Sequence, residues 1–108
     1  MVTATVEVSG VQAQSWAAEL QTVLAGRVRP GESVSPVQVE RDAGLTVAII
    51  ALVFAGVDTA KTIWDWWHEQ RPAEAVVTIL LADGTRIEVS GVGRAELDGI
   101  VQRAVSQL

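Results

Sequence analysis

A chain of 108 residues, 49% of them apolar, is one domain with enough apolar material to bury a core of its own. It has no cysteine, which excludes disulfides and thiolate metal sites and fits a reducing compartment, the cytoplasm. Its net charge is −5 and its eight basic residues are scattered, which argues against a nucleic-acid partner.

Residues 1–26 read as a strand followed by a helix. Val2, Ala4, Val6 and Val8 alternate with Thr3, Thr5, Glu7 and Ser9, the pattern of a half-buried strand. The same residues show neither a basic start nor a continuous apolar run, so no secretory signal is expected. Ser9-Gly10-Val11-Gln12 has the spacing of a capping box. Trp16, Leu20, Val23 and Leu24 follow at helical spacing, and Gly26 stands where a C-terminal cap belongs. Residues 27–42 then form a connector. Val34, Val37 and Val39 suggest a short strand within it, which Pro36 confines to a sheet edge.

Residues 43–71 contain the most apolar stretch, and three readings compete. As a membrane span, the charge-free run Ala43–Val57 covers about 22 Å of helix against the roughly 30 Å of a hydrocarbon core. Extending it to Trp67 takes in Asp58, Lys61 and Asp65, each costing roughly 2.5–3.5 kcal/mol near the bilayer centre. As a phosphate-binding loop, Ala55–Thr62 has the outline G-x-x-x-x-G-K-[ST], but alanine replaces both glycines whose backbone would wrap the phosphates. The favoured reading is one long apolar helix over 43–71, ended by Pro72. Its first half is apolar all round, as in an enclosed helix. Its second half carries a polar face of Asp58, Lys61, Thr62, Asp65 and Glu69, with Asp58–Lys61 and Lys61–Asp65 spaced to pair. Gly44 and Gly56 would let another helix approach closely.

Residues 74–108 read as a hairpin and a helix. Asp83-Gly84 signals a type I′ turn with a two-residue loop, pairing Leu80 with Ile87 and Thr78 with Val89. Leu97, Ile100, Val101, Ala104, Val105 and Leu108 form one helical stripe. "VEVSGV" at 6–11 recurs as "IEVSGV" at 87–92, and in the same register Leu20 matches Val101. Both terminal helices should therefore leave their strands by similar turns and cover the same sheet face.

The expected fold is α+β. A small antiparallel sheet, made of the N-terminal strand, the hairpin and a possible edge strand, packs with two amphipathic helices and the long central one. A domain this small cannot wrap fifteen consecutive apolar positions, and a leftover apolar surface points to a partner. The expected contact residues are Leu45, Ile49, Leu52, Val53 and Phe54, with Trp64, Trp66 and Trp67. Neighbouring tryptophans at 66 and 67 point about 100° apart on a helix and cannot share one face, so at least one of the three is expected at the surface, where Trp is a common anchor.

Catalytic chemistry is not expected. His68 is the only histidine and reads as a helix C-terminal residue favoured by the dipole. Ser9 and Ser90 sit in strand-to-helix turns but lack the G-x-S-x-G of a nucleophile elbow and read as caps. No cofactor or metal is expected.

The order of elements, with Trp16, the segment Gly44–Trp67, Arg71-Pro72 and Asp83-Gly84, resembles the small effector-associated constant component domains of bacterial conflict systems. The resemblance spans about residues 4–108. It implies a shared, non-enzymatic component that couples or scaffolds an effector protein such as a peptidase, and it transfers no catalytic residue. The expected function is thus an adaptor that assembles through the central helix, with a second copy or an effector as partner. The alternative is a membrane-inserting protein using residues 43–67.

Overall fold

The computed structural model describes residues 1–42, 45–72 and 74–106. Expectations placed on Ala43, Gly44 and Leu108 lie outside the described residues. The fold is α+β. In chain order its elements are β1 (Val2–Gly10), α1 (Ala13–Ala25), β2 (Ser33–Val34), β3 (Gln38–Asp42), β4 (Leu45–Phe54), α2 (Asp58–Gln70), β5 (Ala75–Leu81) and β6 (Arg86–Glu88). One turn of 3-10 helix (Val89–Gly91) leads to α3 (Arg94–Ser106).

The strands form one antiparallel sheet in the order β2-β4-β1-β5-β6, with β3 also beside β4. The alternation in β1 is realised as read: Val2, Ala4, Val6 and Val8 point into the core. Their partners across the ladder, Phe54, Leu52, Ile50 and Ala48 of β4, are buried with them. On the other side, Val77, Ile79 and Leu81 of β5 continue the same layer, and Ile87 of β6 completes it. Leu20 and Leu24 of α1, Ile63 and Trp66 of α2, and Leu97 and Val101 of α3 close over it in one cluster. All three helices therefore pack on one face of the sheet.

The long central helix expected over 43–71 is not formed. Its first half is strand β4 and its second half is α2, separated by Ala55–Val57. The physical reason lies in the residue types. Thr46, Val47, Ile49, Ile50 and Val53 are β-branched, stiff at χ1 and better suited to a pleated sheet than to a helix. The amphipathic half does form the helix, with Ala60, Ile63 and Trp66 inward. Arg71 adopts the left-handed conformation at its end (φ 45°), just before Pro72. The intrahelical ion pairs are replaced by tertiary ones. Asp58 meets Arg29 at 2.9 Å, Asp65 meets Arg94 at 2.9 Å, and Lys61 meets Asp98 at 3.7 Å.

The edge strand is present, broken in two at Pro36. The Ser35 backbone N–H donates to the Ala51 carbonyl, while the Ala51 N–H donates to Ser35 Oγ, each at 2.9 Å. The serine hydroxyl thus carries the ladder past the proline. The hairpin register differs by one residue from the expected one: Ile79 pairs with Ile87 and Thr78 with Glu88. Asp83-Gly84 belongs to a three-residue loop, in which the Gly84 N–H donates to Leu81 and Gly84 takes φ +94°. The two expected caps are also absent. The N-cap of α1 is Gln12, left-handed at φ 59° and without a side-chain bond, and Ser90 Oγ donates to Glu88 instead.

Candidate interaction surface

The alternation that buries one face of each strand dictates the other. Opposite the helices, β4 presents Leu45, Val47, Ile49, Ala51 and Val53. These five form an apolar stripe along the whole strand, with Leu45 63% exposed. Beside it β1 presents Ser9, Glu7, Thr5 and Thr3, in register with Val47, Ile49, Ala51 and Val53. Next comes β5, with Val76 opposite Ser9, Thr78 opposite Glu7 and Leu80 opposite Thr5; Val76 is 43% exposed. Among the described residues no helix or loop covers this face.

Its charges are few. Arg86 of β6 reaches across β5 to Glu7, with Nη2 3.4 Å from Oε2. That ion pair spans the only basic residue that the described strands place on this face. Gln38 and Glu40 of β3 border the stripe on one side, opposite Ile49 and Val47. Glu88 of β6, opposite Thr78, borders the far side. The face is therefore apolar along one strand, hydroxylated along the next, and acidic at its margins.

The expected contact residues divide into three groups. Leu45, Ile49 and Val53 lie together on the open face. Leu52, Phe54 and Trp66 are buried in the chain's own core and leave no surface for a partner. Trp66 meets Trp16 edge-on there, with ring centroids 6.1 Å apart. Trp64 and Trp67 are half-buried in the helix layer, on the opposite side of the molecule. Trp64 Nε1–H donates to the Val92 carbonyl at 2.9 Å and its ring stacks on His68 at 3.5 Å. These bonds tie α2 to the segment before α3, which is a structural task. His68 Nδ1 bonds the Trp64 carbonyl at 2.9 Å. Sequence reasoning missed Val47, Val76 and Leu80. The β-branched composition of 46–53 was the signal that would have set the first of these on a sheet face.

A second concavity, of about 480 Å³, opens at the start of α2, lined by Arg27, Arg29, Glu32, Lys61, Asp65 and Arg94. Here Ala55–Thr62 does connect a strand to a helix, but α2 begins at Asp58, so residues 58–60 are helical where a phosphate loop would stay open. Its charges are largely paired among themselves. The Asp65 carboxylate accepts from Arg94 Nε and Nη2 at 2.9 and 3.3 Å and raises the Arg94 guanidinium above its ordinary value. No group of three His, Asp or Glu side chains able to hold a metal occurs among the described residues, and no helix among them is long and apolar enough to cross a membrane. Of the segment 43–67 named for insertion, Leu45–Phe54 is strand β4. Comparison of the chain with protein-family models, with curated proteins and with solved structures gives no match.

Proposed function

We propose that this protein is a non-enzymatic assembly module that binds another protein chain through its open sheet face. The observation that carries the reading is the stripe Leu45, Val47, Ile49, Ala51 and Val53, five consecutive outward positions of one strand, all apolar, with no element over them among the described residues. Water-facing sheets ordinarily alternate apolar-in with polar-out, and here β4 departs from that rule while β1 obeys it. A strand that spends its outward positions on Leu, Val and Ile is suited to being covered. The likeness to effector-associated constant components supports an adaptor role beside an effector, in the cytoplasm, where a chain without cysteine is at home.

The test reads the size of the native species in host extract, by size exclusion followed by immunoblotting. The wild-type chain should elute well above its 11.5 kDa. Ile49→Glu should elute at the monomer position, because a carboxylate in the middle of the stripe would have to be desolvated. Val11→Glu serves as the control, since Val11 lies in the β1–α1 turn and is 55% exposed. Monomeric elution of the wild type would defeat the reading.

A further inference from the structure

We infer that the occupant of the open face is a second copy of this chain, stacked sheet on sheet about a two-fold axis. The inference rests on the reading that this face is an interaction surface, and it names the partner.

Three observations lead to it. The first is area. The strands β3, β4, β1 and β5 at about 4.8 Å spacing, over about eight residues of β4, give a face of about 500 Å². Two such faces together come to about 1,000 Å², the size of a weak interface below the roughly 1,200 Å² of stable ones, which suits a dimer that dissociates on dilution. The second is symmetry. A two-fold axis crossing the strands at Ile49 lays Ile49 on its own copy, Val47 over Ala51, and Leu45 over Val53. Each apolar residue of the stripe then meets another, as a self-complementary interface requires. Sheets stacked this way lie about 10 Å apart and cross near −30°.

The third is charge. Arg86 is already neutralised by Glu7 of its own chain, so the face has no free cation among its described residues to attract an acidic partner. Glu40 and Glu88 lie at opposite margins, beyond β4 and β5. There they stay solvated when a copy lands on the stripe. A basic partner would be drawn to those margins instead and would leave the apolar centre uncovered.

The experiment uses the full purified chain alone, in light scattering over a dilution series. At concentrations on the order of 100 µM the mass should be twice 11.5 kDa, falling to the single mass on dilution. Ile49→Glu should stay at the single mass with an unchanged circular dichroism spectrum, and Val11→Glu should still dimerise. Because the chain has no cysteine, position can be read directly. Ile49→Cys should be linked to itself by a bismaleimide of about 8 Å span, and Val11→Cys should not, since only the former meets its copy across stacked sheets. A wild type of single mass throughout overturns the inference. So does a dimer that survives Ile49→Glu or fails to cross-link at residue 49. A single mass here, with a larger species in extract, removes the second copy and keeps the interaction face. Single mass in both removes the face.

Discussion

Gly10 and Gly91 occupy matching places in the repeated Ser-Gly-Val, yet their backbones differ. Gly10 has φ +108°, and a Cβ there would collide with the carbonyl oxygen of Glu74. Gly91 sits in the 3-10 turn with nothing within 4 Å of the place a Cβ would take. Gly10→Ala should therefore cost about 2–4 kcal/mol in urea unfolding, combining left-handed strain with a backbone clash. Gly91→Ala should change stability by less than about 0.5 kcal/mol. Equal effects would mean that the repeat in sequence is a repeat in structure after all. At the hairpin, the Thr85 backbone N–H donates to Asp83 Oδ1 at 2.9 Å, and that bond holds the Asp83 carboxyl below its ordinary value. The ionised form is the better acceptor. The contribution of this bond is therefore present above the unfolded carboxyl's value and is lost as pH falls through the depressed one. In an NMR titration the Thr85 amide should shift with a midpoint below that of a free aspartate. A midpoint at or above it would remove the bond from solution.

At the scale of elements, Ile49 and Ile50 are the same residue side by side on β4, one facing out and one in. Ile50→Ala should cost about 2–5 kcal/mol, the range for emptying a core position. Ile49→Ala, measured at a dilution where the chain is single, should cost less than about 1.5 kcal/mol. Similar losses at both would speak against the strand. This pair also explains what was legible in the sequence. β1, α1 and α3 could be read because each carries one apolar and one polar side, so the period of 2 or 3.6 is written in the residues. β4 carries apolar residues on both sides. With its outward positions apolar as well, Leu45–Phe54 has no period to read, and a strand apolar on both faces is indistinguishable by pattern from an enclosed helix. The open face was invisible for the same reason, although the inference that some apolar surface is left over survives the change of element. Asp83-Gly84 marked the hairpin but suits both a two-residue and a three-residue loop, so the turn was legible and its register was not. Trp66 faced inward and Trp64 found Val92, contacts set by tertiary packing that spacing along one helix does not encode.

For the whole molecule, the arrangement of layers sets the energetics of association. One sheet with all its described helices on one side can hide one apolar face at most. The stripe on the other is left to intermolecular contact. Each chain carries a net charge of −5, so two chains repel at long range. The proposed contact itself places the Leu, Val and Ile of β4 at its centre, the Glu7 of β1 beside them held by Arg86 of its own chain, and Glu40 and Glu88 at the margins. Salt then acts in one direction. Raising NaCl from about 0.05 to about 0.5 M shortens the screening length from more than 10 Å to a few Å, weakening the repulsion and leaving the apolar attraction intact. The dissociation constant of the dimer should fall several-fold across that range, read by dilution in light scattering. The Arg86–Glu7 pair lies within one chain and is half-exposed, so its screening offsets little of this gain. A partner held through the acidic margins by basic residues would show the reverse, weakening steeply with salt. Dissociation that grows with salt would therefore show that charge rather than the β4 stripe holds the two chains together.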